Sequence, residues 1–199
     1  SIYFVDPNFT YELSTKSILS IRYATDGFSF CVHDETGKLV VFVHEPYAAD
    51  SREAAVARLK NYVVNDAILN LRFKKVYIMP CFKEKLLVPG AFFDKANITT
   101  LYTVNQEVSP DDTILYHHIE GIEAYLVETV ISSFHDFVRE HFPVFQIVNG
   151  AYPFILGAMG KALRDTEQIF LDIQDNYFDL LFIRDSGILL FNTFSYKAT

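Results

Sequence analysis

The chain has no tryptophan, two cysteines and two methionines, and its cations are outnumbered by its anions, 17 to 25. Each shortage removes a class of function. Two thiols fall short of a disulfide framework or a four-ligand zinc site. Cys31 lies in an apolar strand pattern and Cys81 just after one, so both read as buried or half-buried thiols. A net charge of −8 lacks the positive footprint that holds a nucleic acid or an anionic membrane surface. No apolar run reaches membrane-spanning length, and no secretory signal opens the chain. There is no Gly-x-Ser-x-Gly elbow and no Lys-bearing phosphate loop. What remains is an acidic globular protein. It is expected in the cytoplasm, with no nucleic-acid partner and no membrane insertion.

What the chain does have is apolar and aromatic material. Half of its 199 residues are apolar and 16% are aromatic, enough for one large domain or two small ones. The most informative feature is a three-strand pattern that occurs twice, about 150 residues apart. The first copy spans 18–42 and the second 169–191, and each reads strand, tight turn, strand, Gly turn, strand. A unit repeated once at long separation points to a duplicated domain rather than a solenoid.

In the first copy, Asp26-Gly27 and Thr36-Gly37 are hairpin turn signals, because glycine accepts positive φ without a Cβ clash. Asp50 or Ser51 caps a helix over about 52–69, with Ala55, Leu59, Tyr62, Val63 and Leu69 as its apolar stripe. A short buried strand follows at Val76–Met79. The order β-β-β-α-β predicts a mixed sheet with a crossover to a parallel strand. Residues 1–16 show no clear period.

Further along, strands are expected near 87, at 114–118, 123–129 and 144–148. Helices are expected from Ser132 or Ser133 to before Pro143, and over Gly150–Leu163. By analogy with the first copy, a helix and another strand should follow the second meander, so the chain reads as incomplete at its C-terminus. The expected division is a first subdomain over 1–165, with an inserted region at about 87–148, and the start of a second over 166–199.

Both meanders resemble the actin-like ATPase fold shared by actin, sugar kinases and the 70-kDa chaperones. In that superfamily the first turn of each half holds phosphate. The matching stretches are Leu19-Ser-Ile-Arg-Tyr-Ala-Thr-Asp26 and Leu171-Asp-Ile-Gln-Asp-Asn-Tyr-Phe-Asp-Leu180. More closely, four stretches taken in order resemble an uncharacterised bacterial family, domain of unknown function 3822, found mainly in Bacteroidetes. They are Ser20-Ile-Arg-x-x-x-Asp-Gly-Phe-Ser-Phe30, Leu87-Val-Pro-x-x-Phe-Phe-Asp94, His141-Phe-Pro143 and Leu190-Phe-Asn-Thr-Phe194. The resemblance implies an α/β, ribonuclease H-like fold of duplicated halves. It supplies architecture and no mechanism.

The chemistry residues of the superfamily are mostly missing. Arg22 stands where a metal-associated Asp belongs, and a guanidinium cannot ligate Mg²⁺. Ala24 replaces a turn glycine. Gln174, Asp175 and Asn176 replace three glycines whose backbone N–H groups would approach phosphate, and Asp175 adds negative charge there. Thr25, Asp172 and Asp179 are what match.

The resulting expectation is a non-catalytic, pseudo-ATPase-like module that binds another protein or itself, with no cofactor and with ATP and Mg²⁺ disfavoured. The alternative is a divergent nucleotide-binding ATPase or kinase. Its cleft candidates are Arg22, Thr25, Asp26, Gly27, Asp172, Asp175, Asn176 and Asp179. A sugar or small-metabolite binder using Gln174, Asn176 and Asn192 is the third reading. Elsewhere, His117-His118 point to opposite strand faces and do not make a metal site. Gly157 and Gly160 read as a close helix contact. Lys74-Lys75 with Lys83 and Lys85 read as a solvated sheet edge. Some of the aromatics at element ends (Tyr11, Tyr47, Phe92, Phe93, Tyr152) are candidates for a partner surface.

Overall fold

The computed structural model describes residues 1–185 and 187–197. By contacts the chain forms two compact units, each built from two stretches: Ser1–Phe82 with Ile131–Val148, and Lys83–Val130 with Asn149 onward. These boundaries do not follow the chain-order division at residue 165. The segment 131–148 folds with the N-terminal unit because its strand completes that unit's sheet.

The first unit begins with β1 (Ile2–Val5) and a short helix α1 (Tyr11–Ser14), followed by the meander β2 (Ile18–Ala24), β3 (Gly27–His33) and β4 (Leu39–Pro46). Helix α2 (Arg52–Asn65) then crosses over to β5 (Lys75–Pro80). β5 pairs in parallel with β2, with Ile21 opposite Ile78, as the β-β-β-α-β order requires. Alternation sets the faces: Leu19, Ile21 and Tyr23 are buried while Ser20 and Arg22 are half-buried.

Ser51 caps α2, its side chain accepting from the Ala54 N–H at 3.1 Å. The helix stops at Asn65, before the expected residue 69. Asp66 leaves the helical conformation, and its carboxylate takes the N–H groups of Ile68 and Leu69 at 2.8 and 2.9 Å. Strand β1 was not legible. It pairs antiparallel with β4 across a long sequence separation, and Ile2, Tyr3 and Phe4 are all exposed, so no inside–outside alternation marks it.

The second unit contains β6 (Lys85–Pro89), α3 (Ile98–Thr103), β7 (Asp112–His118) and β8 (Ala124–Ile131). The chain then returns to the first unit through α4 (Ser132–His141) and β9 (Phe145–Ile147) before α5 (Ala151–Lys161) and the second meander. That meander is β10 (Glu167–Ile173), β11 (Tyr177–Arg184) and β12 (Gly187–Ser195). The sheets are β1-β4-β3-β2-β5-β9, β6-β8-β7 and β10-β11-β12.

Pro153 sits in the first turn of α5, where it removes no helical hydrogen bond. Gly157 and Gly160 correct an expectation. A Cβ at either would meet nothing within 4 Å, so they face open space rather than a close helix contact. The other face of α5 closes a core in which Ile155 and Ala158 pack with Leu181 and Ile183 of β11. Among the described residues no helix is long and apolar enough to cross a membrane.

Candidate functional site

The two turns of interest lie in different units, and each is a product of its own meander. In the first, the carbonyl groups of Thr25 and Asp26 accept the N–H groups of Ala49 and Tyr47 at 2.8 and 3.0 Å. The turn is therefore tied to the segment after β4. Gly27 has φ +152°, and a Cβ there would lie 2.7 Å from the Glu45 carbonyl oxygen. Its glycine serves the close approach of β3 and β4. Arg22 leans toward this turn, its Nη1 3.5 Å from Asp26 Oδ1, with both side chains one-quarter exposed. A partly solvated pair at that distance contributes little to stability.

In the second turn, the Gln174 N–H donates to the Tyr177 carbonyl at 2.9 Å and the Tyr196 N–H to the Asn176 carbonyl at 2.9 Å. The Tyr196 hydroxyl also donates to the Gln174 carbonyl. Gln174 Nε2 reaches back to Asp172 Oδ1 at 3.0 Å. Asp175 and Asn176 are exposed at its tip. Asp172 is half-buried, directly opposite Asp179 in the β10–β11 ladder.

Asp179 is buried and already occupied. Lys85 Nζ lies 2.9 Å from its Oδ1, and Thr193 Oγ1 donates to the same oxygen at 2.6 Å. Burial pushes the Asp179 carboxyl above the usual carboxylate range, while Lys85 and Thr193 pull against it. Lys85 corrects the solvated-edge reading: it is 4% exposed and its ammonium sits 4.8 Å from the Tyr177 ring centroid, whereas Lys74 and Lys83 are exposed and Lys75 is half-buried.

A second buried carboxylate adjoins this pair. Glu128 on β8 is the ladder partner of Lys85, and its Oε2 accepts from Asn149 Nδ2 at 2.7 Å. Its Oε1 is 3.8 Å from His117 Nε2, and neither atom has a hydrogen-bond partner among the described residues. Burial raises the Glu128 carboxyl to about 8, against the pull of Asn149 and Lys85. Burial also lowers His117 below its usual value. An acid and a base thus face each other, each pushed toward its neutral form. Next along β7, His118 meets the Tyr125 ring at 5.1 Å.

The sequence candidates therefore separate into local groups: Arg22 with Asp26, Asp172 with Gln174 and Asp179, and Asp175 with Asn176 at an exposed tip. Sequence reasoning places Lys85 at a solvated edge and passes over Glu128. The signal for Glu128 was available: a lone carboxylate inside Leu126–Ile131 requires a partner when that strand is buried. Among the aromatics at element ends, Tyr11 and Phe92 are exposed, while Tyr47, Phe93 and Tyr152 are half-buried.

Comparison with known proteins agrees with this architecture. The family model described as protein of unknown function (DUF3822) matches residues 6–199. A crystal structure from Bacteroides thetaiotaomicron, described as having an actin-like ATPase fold and unknown function, superposes with a TM-score of 0.85 at 21% identity. The match covers 96% of this chain and 74% of that one. The PilM-PilN type IV pilus biogenesis complex matches at a TM-score of 0.53 and 12% identity, covering 92% of this chain but only 62% of that one. At these identities the likeness is one of fold. No curated protein matches the chain.

Proposed function

The chain belongs to the DUF3822 family of proteins of unknown function, and on that basis we propose that it is a non-catalytic actin-like module that works in the cytoplasm by binding protein, either a partner or a second copy of itself. The observation that carries this is the state of the second turn. Of its two matching carboxylates, Asp179 is 2% exposed and closed off by Lys85 and Thr193, and the half-buried Asp172 accepts from Gln174 Nε2 at 3.0 Å. Where backbone N–H groups would cradle phosphate, Asp175 presents a negative charge at the exposed tip instead. Phosphoryl transfer needs positioned charge neutralisation. The first turn offers for this only Arg22, which leans on Asp26.

Protein binding draws support from β1. It is the outer strand of a six-stranded sheet and exposes Ile2, Tyr3 and Phe4, an arrangement that accepts another strand. The fold's presence in the PilM-PilN complex lends the reading a precedent. The two meanders, in this view, begin the two halves of a duplicated scaffold, one in each compact unit. Phosphate release from Mg²⁺·ATP tests the non-catalytic part: release at the buffer background is expected, and turnover abolished by Asp172→Asn would overturn it. Sedimentation of the chain and of Tyr3→Lys tests the binding part. Concentration-dependent assembly weakened by the lysine is the supporting result, and assembly indifferent to it argues against β1.

A further inference from the structure

Within the second unit, β6 and β12 border a cavity of about 430 Å³, an ordinary size for a small-molecule site. Local structure on three elements sets its lining. On β12, Thr193 and Ser195 stand directly opposite Asp179 and Tyr177, so they share the sheet face on which those two are buried. At the entry to β6, the Tyr102 hydroxyl donates to the Glu84 carbonyl at 2.9 Å, which holds the end of α3 beside Lys83 and Lys85. The N–H groups of Asn105 and Gln106 both donate to the Tyr102 carbonyl, at 3.0 and 2.9 Å. That last turn brings both side chains to the cavity, where Asn192 of β12 joins them.

The lining is polar and its charge has one sign. Lys83 and Lys85 are its charged residues, and among the described residues no carboxylate takes part in it, in a chain whose net charge is −8. The Lys85 ammonium is already matched by Asp179 at 2.9 Å. Lys83 is different, because its side chain is 57% exposed and its ion-pair partner, Glu84, stands 3.9 Å away. A pair that long and wet holds the ammonium weakly. The cavity therefore offers a ligand one positive charge, which matches a carboxylate better than a phosphate dianion. Thr193 Oγ1 directs its proton to Asp179, and Asn192 Oδ1 accepts the Thr193 N–H. The Asn192 N–H₂ group, the Gln106 amide and the Ser195 hydroxyl are then placed to donate and accept as ligand hydroxyls require. Phe191 supplies an aromatic wall.

We propose that this cavity binds a small hydroxylated carboxylate of the sugar-acid class, with its carboxylate on Lys83 and its hydroxyls on Gln106, Asn192 and Ser195. The site is separate from the second meander turn, since none of residues 172–176 contributes to the lining. It stands or falls independently of nucleotide binding.

Titration calorimetry and amide NMR shifts of the 199-residue chain with D-glucuronate, D-glucose and inorganic phosphate test it. Glucuronate should bind with a Kd of about 1 mM or tighter and shift the amides of Lys83, Gln106 and Ser195. Glucose and phosphate should each bind at least about tenfold more weakly, the scale of one charge-assisted hydrogen bond. Lys83→Ala, at an exposed side chain, should weaken glucuronate binding by about tenfold and leave the melting temperature unchanged. Several results overturn the proposal. Glucuronate giving no saturable heat up to about 10 mM is one, and binding indifferent to Lys83→Ala is another. Glucose binding as tightly as glucuronate assigns the cavity to a neutral sugar, and tighter phosphate assigns it to phosphate. Shifts confined to residues 172–176 move the site to the turn. If Lys83→Ala disturbs the fold, the ligand series and shift map on the unsubstituted chain still decide.

Discussion

Lys85 and Asp179 come from different sheets and meet as a sealed ion pair, Nζ to Oδ1 at 2.9 Å, with side chains 1% and 3% exposed. A pair this dry is poor evidence of added stability, because desolvation offsets its attraction. Removing one partner is different, since the other is left charged in the interior. Lys85→Met should therefore cost about 3–5 kcal/mol in urea unfolding. Lys85→Met with Asp179→Leu should recover most of that loss. A double variant no more stable than the single would show that the pair is not the source of the cost.

Glu128 makes stability depend on pH in an unusual sense. Its carboxyl titrates near 8 when folded, against an ordinary value of 4.5. Between those values the folded chain holds a proton that the unfolded chain has released, so this group lowers stability as pH rises. The loss begins above about pH 4.5 and is complete once pH passes the folded value of about 8. Each unit of separation corresponds to about 1.4 kcal/mol. Glu128→Gln keeps the shape and removes the titration. Urea midpoints from pH 5 to 8 should decline for the parent relative to this variant, and parallel profiles would contradict the assignment.

Gly27 tests the reading of the first turn as structural. Its φ is +152°, and an alanine Cβ there would stand 2.7 Å from the Glu45 carbonyl oxygen, so Gly27→Ala must strain the backbone and push the strands apart. A loss of about 1–3 kcal/mol is expected. By contrast Gly157→Ala, in open space on α5, should leave stability unchanged or raise it by up to about 1 kcal/mol. Equal effects at the two positions would refute the distinction.

Both meanders could be read from sequence because alternation and turn residues are local signals. Leu19, Ile21 and Tyr23 alternate with Ser20 and Arg22, and Asp26-Gly27 closes the hairpin. The parallel β2–β5 pairing followed from the intervening helix. What stayed hidden depends on pairings between distant segments. Strand β1 is recognisable only through β4, and Lys85 looks like a surface lysine until Asp179 is brought to it. The units also escaped a chain-order division, because 131–148 returns to the first unit. The site candidates were named by alignment to a motif. Their partners, Asp26 for Arg22 and Thr193 for Asp179, were not legible, since a motif does not say which side chains pack against its own residues.

A non-catalytic module on an actin-like frame should not hold nucleotide. Isothermal titration of the chain with ATP and with ADP, each with and without Mg²⁺, should give no saturable heat up to millimolar nucleotide, a range corresponding to a binding free energy weaker than about −4 kcal/mol. Micromolar, Mg²⁺-dependent binding that Asp172→Asn abolishes would contradict it.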